Sequence, residues 1–261
     1  MAAIDAATNT VTAIIPIGPP IGLAVTPDGS KVYVTVPTLH AVVVIDTMTN
    51  AVSFINAFVD APVGIAVTPD GKTAYVANLA AASVAVIDTA TNTVAATINV
   101  GNAPEGVTIA PDGGRVYVTN SGFPEIGIGG VPNPPPGPGG NSVSVIATAT
   151  NSVLATIPVG QSPLGVAVTP NGQRLLVADT LSNDVSVIDT ATNAVVSTIA
   201  VGRLPAAFGN FIRPTPASPK FAAHPARQTV TARVSRHWSA AALGYRSVSA
   251  LQDAIEDYCE A

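Results

Sequence analysis

Residues 111–120 read Pro-Asp-Gly-Gly-Arg-Val-Tyr-Val-Thr-Asn, a turn followed by a strand. The same Pro-Asp-Gly turn opens at Pro27 and Pro69, so three copies follow one another at intervals of 42 residues. A Pro-Asn-Gly version opens at Pro170, 59 residues after Pro111, because a Pro/Gly-rich insertion lengthens that repeat. Proline fixes φ and glycine supplies a positive φ, so each copy predicts a tight turn. A fixed period of about 40 to 50 residues is typical of propeller blades.

Each period contains four short β-branched runs. In the third period they cover residues 106–110, 115–119, 142–146 and 152–157, with a Thr-x-Thr-Asn turn before the last run. Asparagine tolerates the left-handed conformation that such a turn needs. A single four-stranded sheet leaves both faces unburied, so several sheets must pack around an axis. The sequence therefore predicts an all-β propeller with four complete four-stranded blades.

The two ends of the repeat region are incomplete. The chain begins at a predicted third strand, and residues 205–212 fit one further inner strand. We expect this segment to pair with the N-terminal strands in a fifth, partial blade assembled from both termini, which removes exposed edges. The alternative to this closed monomer is an open half-ring, two copies of which close the ring as a homodimer. The propeller then covers residues 1–212, with the insertion at 121–140.

The remaining chain is predicted to be a linker over 213–234 and a short α-helical hairpin tail over 235–261. The alanine-rich first helix ends at Gly244, and Ser247 is suited to cap the second. The second helix carries several carboxylates and no Lys or Arg, so it would repel phosphate. With 11 Lys and Arg in the chain and a net charge of −5, nucleic-acid binding is excluded.

Composition sets further limits. Hydrophobic residues make up 48% of the chain and charged residues 10%, but the apolar runs are too short for a transmembrane segment. Cys259 has no partner within the chain, so the core is not stabilised by disulfides. The first residues lack the basic and apolar regions of a signal peptide.

The repeats resemble those of the YVTN family of β-propeller proteins. The motif that names the family stands at Tyr117-Val118-Thr119-Asn120, with near copies starting at Tyr33 and Tyr75 and a weaker copy at Leu176. The resemblance covers residues 1 to about 212 and implies a bacterial secreted, periplasmic or cell-surface protein. Propellers of this family more usually have about seven blades. We therefore expect upstream blades and a leader to be missing from this chain.

One position in the inter-blade loops changes in size and charge while its surroundings repeat. It lies two residues before a shared proline and is occupied by Gly18, Asp60, Asn102, Gln161 and Arg203. Glu105 follows that proline where the other repeats are apolar, and the loop between the second and third strands adds His40, Glu125 and Asp184 at the same end. Of these residues, we expect a ligand at the channel mouth to be bound by Asp60, Asn102, Glu105, Gln161, Arg203 and His40.

Two interpretations of this end remain open. In the first interpretation, a metal or acid–base site is formed by His40, Asp60 and Glu105. In the second, these three are solvated loop residues. The second is favoured because catalysis and metal binding need several convergent groups. No catalytic residue, metal or cofactor is therefore predicted. The repeated carboxylates Asp46, Asp88 and Asp189 open the turn between the third and fourth strands, where an Asx-type hydrogen bond to the backbone explains them.

Two functions follow from these residues. The first is a non-catalytic binding or structural propeller that presents its variable loops to a protein, glycan or cell-surface partner. The second is a hydrolase or lyase acting at the channel mouth, since the repeats also resemble propeller lactonases and streptogramin lyases at the level of fold. Such enzymes call for clustered His and Glu residues. The chain has three histidines, two of them outside the repeats, which favours the binding function.

Overall fold

The computed structural model of the chain describes residues 1–56, 59–122 and 140–207. These residues form eighteen strands in five antiparallel sheets. An N-terminal hairpin comprises β1 (Ala2–Asp5) and β2 (Thr10–Ile14). Blade 1 comprises β3 (Leu23–Val25), β4 (Lys31–Val36), β5 (Ala41–Asp46) and β6 (Val52–Ile55). Blade 2 comprises β7 (Pro62–Val67), β8 (Thr73–Asn78), β9 (Ser83–Asp88) and β10 (Thr93–Asn99).

The other two blades repeat this pattern. Blade 3 comprises β11 (Pro104–Ile109), β12 (Arg115–Asn120), β13 (Ser142–Ala147) and β14 (Ser152–Pro158). Blade 4 comprises β15 (Pro163–Val168), β16 (Arg174–Asp179), β17 (Asp184–Asp189) and β18 (Ala194–Ala200). In every blade, strands that are neighbours in the chain pair with one another. The predicted all-β fold with four complete four-stranded blades is confirmed.

The blades have two distinct ends. In an antiparallel meander, the connection from the second to the third strand lies at the same end as the loop that enters the next blade. We call this end the rim. The opposite end, which carries the first-to-second and third-to-fourth turns, is called the turn face. In blades 1 and 2 the second-to-third connections include short 3-10 turns at Pro37–Leu39 and Leu79–Ala81.

Burial separates the inner strands of a blade from its outer strand. In blade 2, residues 83–87 of β9 are all buried, whereas exposed and half-buried residues alternate along most of β10. Valine and isoleucine fill the inner strands because both faces of a blade pack against neighbouring blades. The outer strand forms the solvent-facing edge, which explains its alternating pattern.

The tyrosine of each Tyr-Val-x-x motif joins its blade to the next one. Tyr75 is 1% exposed and lies in a cluster with Val116 and Val118 of blade 3. Its hydroxyl donates a hydrogen bond of 2.8 Å to Asn151 Oδ1, in the third-to-fourth turn of that blade. Tyr33 makes the equivalent bond to the turn of blade 2. The ring is thereby buried while its polar end is satisfied.

The innermost strands approach one another closely around the axis. The Thr119 hydroxyl donates to the Leu164 carbonyl of the next blade at 3.0 Å. A Cβ added at Gly64 would lie 1.9 Å from the Glu105 carbonyl oxygen, so glycine is required at this contact. A Cβ at Gly165 would similarly lie 2.7 Å from the Ala207 carbonyl oxygen. Residues 205–207 therefore lie where the inner strand of a following blade would begin.

The N-terminal hairpin packs on the other side of the array, where Ile15 and Ile17 contact blade 1. In the described ranges β1 and β2 pair with each other and with no third strand, and residues 205–207 form no strand. The composite fifth blade predicted from both termini is thus incomplete there, and residues 208–212 lie outside the described residues. Leu23 and Val25 are 54% and 50% exposed, since within the described part of the chain no tyrosine-bearing second strand covers them.

Several predicted segments lie outside the described residues. These are the middle of the insertion with Glu125, the linker over 213–234, and the helical tail over 235–261 with Cys259. The two ends of the insertion meet, since a Cβ at Gly122 would lie 3.0 Å from the Gly140 Cα. In the part of the chain that the structure describes, no helix has the length and apolar character needed to cross a membrane.

Candidate functional site

Four inter-blade loops build the rim, and they share one backbone feature. The residue before each proline has a φ between 46° and 53°, a set formed by Ala61, Ala103, Ser162 and Leu204. Residues other than glycine rarely adopt this conformation, so the surrounding contacts must hold it. The predicted variable positions Asp60, Asn102, Gln161 and Arg203 come one residue earlier. The loops therefore place four different side chains in equivalent positions.

Side chains at the start of the third strands hold these loops. Asn141 Oδ1 accepts a hydrogen bond of 2.9 Å from the Ser162 backbone N–H, and Asn183 does the same for the following loop. His40 takes the equivalent position in blade 1, with its Nδ1 3.4 Å from the Ala61 nitrogen. This supporting role of His40 was not predicted. Its alignment with Asn141 and Asn183 was the available signal.

His40 also contacts one of the other predicted residues. Its Nδ1 lies 2.8 Å from Asp60 Oδ1, and the two side chains are 56% and 49% exposed. Water and salt screen a pair at this level of exposure. The structure thus brings together two members of the predicted group, in a solvated position that suits contact with a partner.

The other rim residues differ in what holds them. Asn102 Nδ2 donates to the Gly122 carbonyl at 3.2 Å, and the Gly122 N–H donates to the Asn102 carbonyl. Asn102 therefore anchors the base of the insertion. Gln161 is bound through its backbone, whose N–H donates to Ser182 Oγ at 2.6 Å, while the residue itself is exposed. Arg203 is exposed as well.

Glu105 has a different environment from the rest of the rim. It is 5% exposed, so its interpretation as a solvated loop residue is wrong. It lines a cavity of about 210 Å³ around the axis, together with Ile21, Val63, Val166 and Ala207. Burial raises the pKa of Glu105 to about 7, and a hydrogen bond with Ser121 partly opposes this shift. A carboxyl group with such a pKa exchanges its proton near neutral pH.

The described residues contain no group of three His, Cys, Asp or Glu side chains close enough together to hold a metal ion. His40, Asp60 and Glu105 consequently do not form a three-ligand set.

The repeated carboxylates of the turn face have the role that the sequence predicted. Asp88 Oδ1 accepts hydrogen bonds from the backbone N–H groups of Thr91 and Ala90 at 2.8 and 2.9 Å, and from the Thr91 hydroxyl at 3.0 Å. Asp46 and Asp189 make the same three bonds in their own blades. Bonding from the Thr91 backbone and hydroxyl lowers the pKa of Asp88. These carboxylates stabilise turns.

Together, the stacked four-stranded sheets and the loop-built rim define a repeat protein of the β-propeller class. Among solved structures, the chain is similar to hydrazine synthase from Kuenenia stuttgartiensis, which contains a β-propeller. The two are 28% identical with a TM-score of 0.60, over 72% of this chain and 51% of that chain. The chain thus spans about half the length of that protein. No family model and no curated protein match the chain.

Proposed function

We propose that this chain is a non-catalytic binding propeller of the YVTN type, which presents its rim to a protein or glycan partner. The observation that carries this proposal is the contrast between a repeated loop backbone and unlike side chains upon it. Asp60, Asn102, Gln161 and Arg203 occupy equivalent positions, each one residue before a residue with a positive φ and its proline. Binding residues are commonly found on loops that a rigid scaffold positions in this way.

The supports of the rim favour binding without large rearrangement. Asn141, Asn183 and His40 restrain three of the four loops, so little conformational freedom is left for a ligand to remove. A preorganised surface of this kind loses less entropy on association. The surface combines the exposed Arg203 with the half-exposed Asp60 carboxylate, which suits a polar partner such as a glycan hydroxyl or a charged protein loop.

The resemblance to YVTN proteins supports a bacterial, extracytoplasmic location, as a secreted, periplasmic or surface protein. A polar rim exposed to the medium fits this proposal. The uncovered side of blade 1, where Leu23 is 54% exposed, is compatible with either a monomer or a ring-closing homodimer. Light scattering distinguishes them, because the homodimer has twice the chain mass.

A hydrolase or lyase acting at the channel mouth is the second candidate. The observation that favours it is the Glu105 carboxyl, whose pKa of about 7 suits proton transfer beside the axial cavity. Elemental analysis of the purified chain tests this candidate. A stoichiometric divalent metal that is lost in the Glu105→Ala variant would favour the enzyme, whereas metal-free protein would favour the binding function.

Paired variants test the binding function. Gln161→Ala/Arg203→Ala removes an amide and a cation from the rim. Lys72→Ala/Gln173→Ala removes the same two kinds of group from the turn face, where both residues are exposed. We expect wild type and the turn-face variant to give the same signals on a glycan array and a bacterial proteome array, and the rim variant to lose at least about tenfold in affinity. Equal binding by all three proteins, or none by wild type, would contradict the proposal.

A further inference from the structure

One polar position at the rim is buried in blades 2, 3 and 4, and it lies at the end of the second strand. In blade 2, Asn78 Nδ2 donates to Ser83 Oγ at 3.2 Å. In blade 3, Asn120 Nδ2 donates to the hydroxyls of Ser142 and Ser144, each at 3.0 Å. Both blades therefore fill the position with neutral groups, an amide beside hydroxyls.

Blade 4 fills the same position with two carboxyl groups. Asp179 and Asp184 are directly paired in the register of β16 and β17, as Asn120 and Ser142 are in blade 3. Asp179 is fully buried, and its Oδ2 accepts a hydrogen bond of 2.6 Å from Ser186 Oγ. Oδ1 of Asp179 and Oδ1 of Asp184 are both buried, and neither has a hydrogen-bond partner among the described residues.

Two facing carboxylates in a buried position repel each other and lose hydration. A single proton between them removes the repulsion and leaves one negative charge in place of two, because one carboxyl then donates a hydrogen bond to the other. Burial raises the pKa of Asp179 to about 7, and the neighbouring Asp184 carboxylate adds to the shift while the Ser186 hydroxyl opposes it. No cation is buried with the pair in the described residues. Arg203, in the nearby rim loop, is exposed.

The pair lies directly beneath the loop between blades 3 and 4. A Cβ at Gly160 would lie 2.6 Å from the Asp179 Cβ, so this loop packs on the carboxyl-bearing side chain. The next residue, Gln161, is one of the variable rim positions, and its carbonyl accepts a hydrogen bond from Leu181. Charging of the pair therefore acts on a loop that belongs to the proposed binding surface.

We propose that Asp179 and Asp184 share one proton in the native protein, and that loss of this proton near neutral pH loosens the loop over 159–162. This proton-sharing pair is specific to blade 4, since the equivalent amide and hydroxyl groups of blades 2 and 3 do not ionise. It needs no ligand and does not depend on what the rim binds.

The sign of the effect follows from proton linkage. Asp179 holds its proton more tightly in the native protein than in the unfolded chain, so the stabilising effect of this proton is complete at acidic pH and is lost as pH rises to about 7. Glu105 titrates in the same direction. The test therefore compares the pH dependence of Tm in wild type with that in a variant of the pair, because the wild-type curve alone also contains the titration of Glu105.

Asp179→Asn, which installs the amide of blades 2 and 3, tests the proposal in the full chain. Between pH 5 and pH 8 we expect the Tm of wild type to fall by roughly 5 °C relative to this variant. At pH 8, amide hydrogen exchange over 159–162 should be faster in wild type than in the variant, and exchange over 101–103 should be equal. Asp184→Ser, the residue of blade 3, should flatten the pH dependence as well. Parallel Tm curves for wild type and both variants would overturn the proposal.

A measurement on wild type keeps the test decisive if the variants do not fold. With ¹³C-labelled aspartate, one side-chain carboxyl is expected to titrate with a midpoint near 7. Titration of every aspartate carboxyl below about pH 5 would overturn the proposal. So would stabilisation of wild type, but not of Asp179→Asn, by millimolar calcium chloride at pH 8, because a cation rather than a proton would then join the pair.

Discussion

The two ends of the blades are built in opposite ways. On the turn face, Asp46, Asp88 and Asp189 accept the same three hydrogen bonds, and the turns that they open differ little between blades. At the rim, four loops repeat a residue with a positive φ before the proline, but the side chains one residue earlier range from a carboxylate at Asp60 to a guanidinium at Arg203. Repetition of both side chain and backbone indicates a role in folding. Repetition of the backbone without the side chain leaves the side chain available for recognition.

This difference also explains why the repeated turn aspartates say less about a functional site than a residue that occurs in one blade only. Three identical aspartates suggest a site only until their partners are known, and those partners are the N–H groups of their own turns. Glu105 is a single departure from an apolar repeat, and it is the group that burial places by the axial cavity. In a repeat protein, residues that differ from the repeated pattern are therefore the first candidates for mutagenesis.

The largest expected effect comes from a substitution in the contact between inner strands. Gly64→Ala places a methyl group 1.9 Å from the Glu105 carbonyl, so blades 2 and 3 must separate. We expect a loss of about 3 kcal/mol in the free energy of unfolding by urea. Gly29→Ala is the control from the turn face, where nothing lies within 4 Å and only the positive φ opposes the methyl group. It should cost about 1 kcal/mol, and an equal loss in both variants would contradict the close approach.

The next effect depends on pH and concerns Glu105. The native pKa of about 7 lies above the ordinary value, so the stabilisation that the neutral form supplies is lost as pH rises to 7. Glu105→Gln keeps the shape and cannot ionise. At pH 8 this variant should be more stable than wild type by about 2 kcal/mol, with little difference at pH 4.5. A difference that stays constant between these pH values in urea unfolding would show that Glu105 is solvated.

A smaller effect is expected at the contact between a strand motif and the neighbouring turn. Tyr75→Phe removes the hydroxyl that bonds to Asn151 and leaves the buried ring in place. The variant should lose about 1 kcal/mol in urea unfolding, with an unchanged m-value. Tyr75→Leu, which installs the residue found at Leu176 of blade 4, should cost more because ring contacts with blade 3 are lost too. No change in Tyr75→Phe would mean that the hydroxyl is equally well satisfied by water.

The smallest effect concerns the support of the first rim loop. His40→Ala removes the ring nitrogen that lies 3.4 Å from the Ala61 nitrogen and 2.8 Å from Asp60 Oδ1, and it should cost about 0.5 kcal/mol. His40→Asn installs the residue that stands at Asn141 and Asn183, and it should restore the wild-type stability measured by urea unfolding. If both variants behave alike, the ring of His40 serves contact with Asp60 or a partner rather than the loop backbone.

The features that recur in every blade could be predicted from the sequence. The 42-residue period, the strand positions and the turn role of Asp88 follow from local propensity, and the structure confirms them. Burial of Glu105 and Asp179 could not be predicted, because it depends on how closely neighbouring blades and loops approach. The last residue of the second strand, asparagine in blades 2 and 3 and Asp179 in blade 4, held a usable signal. The composite fifth blade stays a prediction, because residues 208–212, which would complete its inner strand, lie outside the described residues.

We propose that the rim recognises a partner while the rest of the blade maintains the fold. The most direct test measures binding and stability together on Gln161→Ala/Arg203→Ala, using the strongest array ligand of wild type in isothermal titration calorimetry. We expect at least about a tenfold rise in Kd with a Tm within about 2 °C of wild type, because both residues are exposed and Gln161 is held through its backbone N–H. Unchanged Kd in this variant, together with weakened binding in Lys72→Ala/Gln173→Ala, would contradict this proposal.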